Sequence, residues 1–96
     1  MKEIINGSTY STDDSVPVKF SAEEEDLGGG YTRYSYRVVY YRSEKDDYFL
    51  YVNRTTVDRV CSIFDIQEYI VPVGRNWVAK FRRDTPDRYP NKFMSK

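Results

Sequence analysis

Tyr31, Arg33, Arg37 and Tyr41 occupy odd positions of one run, YTRYSYRVVYYR, between residues 31 and 42. In an extended chain side chains two apart point the same way, so these four share one face of any strand built here. Guanidinium groups bind phosphates and carboxylates through paired N–H donors, and phenol rings stack on bases or on apolar protein surface. The set therefore suits two kinds of partner. A nucleic acid would stack its bases and pair its phosphates, with Arg75, Lys80, Arg82, Arg83 and Arg88 extending the basic surface. A protein would bury the same residues as contact hot spots, because Tyr and Arg join broad contact area to directional hydrogen bonding. A third outcome is that the chain's own helices cover the face.

Glu23, Glu24, Glu25 and Asp26 form the second candidate group. Four adjacent carboxylates lack the alternating ligands and central glycine of a calcium loop, so no metal is expected. They read as a solvated connector, or as a segment that docks onto a basic partner surface. Residues 1–27 hold two basic and seven acidic side chains, and residues 59–96 hold eight basic and four acidic. The net charge of zero thus hides an acidic arm and a basic arm, which either neutralise one another or meet different partners.

Catalytic equipment is sparse. The chain has no histidine and one cysteine, Cys61. Ser-His and Cys-His nucleophilic sites are therefore excluded, and so are zinc sites built from Cys and His. Gly28-Gly29-Gly30 lacks the spacing of a phosphate-binding loop. The expectation is a protein that is not an enzyme and carries no cofactor. No apolar run reaches transmembrane length and no signal-peptide core is apparent, so a reduced, cytoplasmic protein without a membrane partner is expected.

Local patterns suggest how these groups are positioned within a single domain spanning residues 1–96. Asn6-Gly7 between β-formers predicts a type I′ hairpin. Residues 13–30 read as an acidic, Gly-rich connector holding at most a short edge strand at Val16, Val18 and Phe20. Tyr31 to Arg42 is a long strand, Ser43 to Asp47 its turn, and Tyr48 to Asn53 the return. Setting Ser43 opposite Tyr48 pairs Tyr41 with Leu50 and Val39 with Val52. Tyr34, Tyr36, Tyr40 and Phe49 then face the core, and the arginines face outward. Val57, Val60, Cys61 and Phe64 keep helical spacing, with Thr55 or Thr56 as the cap. Ile66 to Val71 is a strand ending at Pro72. Trp77, Val78 and Phe81 fit a second helix, although alternation of Trp77, Ala79 and Phe81 leaves a strand open. Residues 84–96 read as an irregular tail. Together these elements predict an α+β fold, a small antiparallel sheet built on two hairpins with one or two short helices on one face.

Two segments carry a resemblance. The opening Ile4-Ile5-Asn6-Gly7-Ser8-Thr9-Tyr10-Ser11-Thr12 resembles an I-I-N-G-x-x-Y-x-T pattern. Tyr40-Tyr41-Arg42 with Tyr48-Phe49-Leu50-Tyr51 resembles an L-Y-R…Y-F-L-Y hairpin. Both patterns occur in short phage and mobile-element proteins, where a strand like Tyr69-Ile70-Val71-Pro72-Val73 and a Trp-containing helix follow. That setting includes anti-CRISPR-type inhibitors. The resemblance implies a small non-catalytic protein that binds another protein, such as a host nucleoprotein defence complex. It assigns no residue a role. From the residues themselves, the expected contacts are Tyr31, Arg33, Arg37 and Tyr41 with Glu23, Glu24, Glu25 and Asp26. A nucleic-acid-binding module is the alternative, and a self-associating structural protein, a homo-oligomer, is the third reading.

Overall fold

Asn6 and Gly7 have φ of 51° and 80°, the two left-handed residues that a type I′ turn requires. They join β1 (Lys2–Ile5) to β2 (Ser8–Ser11), which pair antiparallel with Ile5 opposite Ser8. The hairpin is closed at its open end by hydrogen bonds between Met1 and Thr12. In the computed structural model, which describes residues 1–60 and 62–85, a four-stranded antiparallel meander follows. Its strands are β3 (Val16–Gly28), β4 (Tyr31–Arg42), β5 (Asp47–Asp58) and β6 (Ile63–Val73), in that spatial order. A single helix, α1 (Arg75–Asp84), ends the described chain. The described architecture is mostly antiparallel sheet, six strands in two sheets with one short helix, so the expected α+β fold holds only in outline.

The segment 13–30, expected as a connector, instead contains the 13-residue strand β3. Glutamate is a poor strand former. Here the acidic run is held extended because every residue from Lys19 to Asp26 has a partner on β4. β3 is an edge strand, where Pro17 and charged side chains are tolerated. Gly28, Gly29 and Gly30, all with positive φ, make the reversal into β4.

The pairing of β4 with β5 differs by two residues from the expected register: Tyr41 faces Tyr48, Val39 faces Leu50, and Arg42 faces Asp47. A two-residue slip preserves parity, so each side chain stays on its expected face. The slip arises because four residues, Ser43 to Asp46, form the loop, with Asp46 at φ 53° and a Lys45 N–H to Arg42 carbonyl hydrogen bond of 3.2 Å.

The helix expected from Val57 to Phe64 is absent. β5 continues to Asp58, paired on both sides, because two neighbouring strands outweigh a short helical period. The chain then reverses on the Asp58 carboxylate, which accepts hydrogen bonds from the N–H groups of Val60 and Ser62 at 3.1 and 2.9 Å. Cys61, expected on the apolar face of that helix, lies outside the described residues. The strand expected to end at Pro72 is present and longer. The Trp77 segment is helical, with Val78 and Phe81 buried.

Both faces of the sheet are covered at one end, termed proximal. On the face of Val39, α1 packs Val78 and Phe81 onto Val39, Leu50 and Val52. On the opposite face the β1–β2 hairpin sets Tyr10 and Ile5 against Phe49 and Ile70. The Tyr10 ring meets Phe49 edge-on at 5.5 Å, and Tyr40 stacks on Phe49 at 5.3 Å. Phe49 is fully buried by this arrangement.

Arg42 locks the hairpin down. Its Nε and Nη2 donate to the two carboxylate oxygens of Asp47 at 2.7 and 2.6 Å, and Nη1 donates to the Thr9 carbonyl at 2.6 Å. The guanidinium carbon lies 3.9 Å from the Tyr10 ring centroid. A cation only 8% exposed is thereby satisfied on every side by the elements it joins.

Candidate functional site

The four aromatic and basic residues singled out from β4 do share one face, but they do not form one platform. Ten residues separate Tyr31 from Tyr41, which in a strand is roughly 33 Å. Tyr41 lies proximally beside Tyr48, at 5.1 Å between rings, and donates its hydroxyl to Asp46 at 2.7 Å. That hydrogen bond holds the phenol's pKa above its ordinary value. Arg37 reaches under α1, its guanidinium 5.5 Å from the Phe81 ring. The expected wholly outward orientation of this face therefore fails where α1 lands, because Val39, Leu50 and Val52 offer an apolar floor. Arg33 and Tyr31 lie beyond the helix, towards the distal end.

The acidic run is divided by strand alternation. Glu23 and Glu25 share the arginine face, where Glu23 lies 3.6 Å from Arg37 and Glu25 lies 3.9 Å from Arg33. These half-exposed pairs contribute little stability, but they neutralise the two arginines. Glu24 falls on the other face of the sheet, as β-sheet alternation requires. Asp26 accepts from the Gly28 N–H at 2.9 Å and pairs with Arg59 at 3.2 Å. The Gly28 N–H and then the Arg59 charge hold its carboxyl below the usual range. Of these three pairs one, Asp26–Arg59, joins the acidic arm to the basic arm; Arg33 and Arg37 belong to the segment between them.

The Asp26–Arg59 pair also ties the reversal at Gly28 to Gly30 to the one that begins at Arg59 and Val60. The distal end also leaves large apolar side chains in water on both faces of the sheet. Val60, Ile63, Phe64 and Ile66 are 81, 64, 67 and 52% exposed, and Leu27 adds to them. Phe64 is the extra residue of a bulge, since Val57 pairs with Ile63 and Thr56 with Asp65. Its ring packs at 5.0 Å from Tyr31. This group was missed in the sequence because Val57, Val60 and Phe64 imitate a helical core face. Asp58, a turn-forming residue in the middle of that pattern, was the available signal.

The distal part of the sheet, residues 22–36 and 53–68, holds seven acidic and three basic side chains. Its apolar group is therefore set in negative surroundings. At the proximal end a half-open hollow of about 620 Å³ is walled by Ser8, Thr9, Ser11, Arg42 and Lys45 among others. Arg42 is already fully engaged there by Asp47 and Thr9, so its role in that wall is structural. Among the described residues, no group of three or more His, Cys, Asp or Glu side chains is placed to hold a metal ion. No described helix is long and apolar enough to cross a membrane. No protein-family model, curated protein or solved structure matches this chain.

Proposed function

We propose that this chain is a small non-catalytic protein-binding domain that engages its partner with the distal end of its sheet. One observation carries the reading: Leu27, Val60, Ile63, Phe64 and Ile66 are all exposed at that end, Phe64 on the Tyr31 face and Ile63 and Ile66 on the other. Several large apolar side chains left in water at one charged end of a sheet suit a surface that a partner covers. Tyr31 packs on Phe64, and Arg33, Glu24, Glu25 and Asp26 share the distal end of the sheet and would supply polar contacts. Their excess of negative charge favours a basic partner surface. The resemblance of the opening and of the Tyr40–Tyr51 hairpin to phage proteins directs the reading to an inhibitor of a host defence complex, of the anti-CRISPR type. Such complexes carry basic surfaces for nucleic acid, and an acidic binder competes for them.

The nucleic-acid alternative is less well supported. Its two central arginines face Glu23 and Glu25, and the distal sheet would repel phosphate. The test is an Ile63→Asp, Phe64→Asp double variant. Both residues are exposed, so the circular-dichroism spectrum and urea midpoint are expected to stay unchanged while capture of a defined partner from host extract is lost. Equal capture by wild type and variant would overturn the distal site. Binding of a generic oligonucleotide at low salt, with a steep salt dependence, would replace the reading by the nucleic-acid one.

A further inference from the structure

We infer that the outer edge of β6 is a strand-addition site for an extended, basic segment of the partner protein. The inference rests on the protein-binding reading above and specifies how the partner is held. The two edges of the sheet are built differently. β3 carries Pro17, two irregularities and four consecutive acidic residues, all features that discourage pairing by another strand. β6 carries few of them. Between the Phe64 bulge and Pro72 it runs without proline or glycine, and residues 63–68 are all exposed. Alternate residues of an antiparallel edge strand direct their N–H and C=O groups outward, so among the described residues this stretch offers a row of donors and acceptors without a partner strand.

The side chains along that row decide what fits. Asp65 lies on the Arg33 face, opposite Thr56, and Glu68 lies on the other face, opposite Asn53. Ile63 and Ile66 share the Glu68 face and add exposed apolar surface there. An added strand therefore meets one carboxylate on each face and apolar groups on the Glu68 face. Alternation puts Lys or Arg on one face of the added strand and β-branched residues on the other, so a segment whose cations lie on the Arg33 face meets Asp65 and lays its β-branched side chains beside Ile63 and Ile66. A second copy of this chain does not fit in this way. Two-fold antiparallel pairing would bring a second Asp65 and a second Glu68 to the seam where a basic segment brings cations, so it supplies no charge complement. It would also bring two acidic distal ends together.

The test uses the whole chain and a short, capped peptide of alternating valine and lysine. Three comparison peptides complete the set: alternating valine and glutamate, the valine–lysine peptide N-methylated on alternate amides in one phase, and the same peptide N-methylated in the other phase. Binding is followed by NMR, with hydrogen exchange of the β6 amides. The valine–lysine peptide is expected to bind and to protect alternate amides between Ile63 and Ile70. The glutamate peptide, and the N-methyl peptide whose methyl groups occupy the pairing edge, are expected to bind at least roughly tenfold more weakly. In an Asp65→Lys, Glu68→Lys variant the preference between lysine and glutamate peptides should reverse. Equal binding of both N-methyl peptides and the parent peptide would overturn strand addition while leaving the apolar distal site standing. Absence of binding by the lysine peptide overturns the inference. Concentration-dependent protection of β6 without peptide overturns it in favour of a second copy. Loss of partner capture in the Ile63→Asp, Phe64→Asp variant remains the separate measure of the distal site itself.

Discussion

Replacing Arg42 with Met should cost about 3 kcal/mol of folding stability. The substitution keeps an apolar stem over Tyr10 but removes three charge-assisted donors, those to both Asp47 oxygens and to the Thr9 carbonyl. Breaking a buried ion pair costs roughly 3–5 kcal/mol where the abandoned partner stays dry. Here the Asp47 side chain is 41% exposed and rehydrates, so the lower end applies. Set against about 5–14 kcal/mol for a chain of this length, the loss is large. It corresponds to a fall in Tm of roughly 12–24 °C. Arg42→Lys keeps the charge, yet one ammonium cannot span both Asp47 oxygens and reach Thr9, so it should lose about 2 kcal/mol. Urea denaturation at neutral pH measures both. Acid provides a second check. The Arg42 hydrogen bonds hold the Asp47 carboxyl below its ordinary value, so the pair stabilises the fold above the unfolded value of about 3.9. That contribution is lost as pH falls through the folded value, and the gap between wild type and Arg42→Met should narrow below about pH 4. A loss under about 1 kcal/mol for Arg42→Met, a Lys variant equal to wild type, or a gap independent of pH would refute the role given to this residue.

Tyr51 donates its hydroxyl to Glu68 at 2.8 Å, and burial together with that carboxylate pushes its pKa up to about 12. Spectroscopic titration should find one phenol ionising near that pH. Because the folded value is raised, the neutral phenol's contribution persists below about pH 10 and falls away between there and 12, and Tyr51→Phe should abolish this dependence. Gly7→Ala should cost about 1 kcal/mol by urea denaturation, since φ is 80° there and nothing lies within 4 Å of an added methyl group. A cost of several kcal/mol would mean that the turn makes contacts beyond its backbone geometry.

Much of the local structure was legible because its signals are local. Asn6-Gly7 specifies its turn by φ alone, and the bounds of β4 follow from Gly30 on one side and the polar loop at Ser43 on the other. Parity along β4 survived an error of two residues in register, since only odd slips exchange the faces. Trp77, Val78 and Phe81 fit a helix by spacing, and Arg82 and Arg83 suit its C-terminal end, but the alternation of Trp77, Ala79 and Phe81 left a strand open, and the packing of Val78 and Phe81 on the sheet goes with the helix.

What the sequence by itself determined about this protein is therefore the Asn6-Gly7 turn and the alternation of β4, each set by neighbours along the chain. Only the tertiary structure decided the rest. Glu23 to Asp26 became a strand because β4 lies beside it, against the weak strand preference of glutamate. Val57 and Phe64 left a helical pattern because β5 and β6 pair across a turn held by Asp58. Arg37 met Phe81, and Arg42 met Asp47 and Thr9, because the fold brought distant segments together around them. Val60, Ile63, Phe64 and Ile66 reached water because the described hairpin and helix both cover the other end of the sheet. Burial is a property of what packs on a residue, and hydrophobicity along the chain does not say which apolar group will be left uncovered.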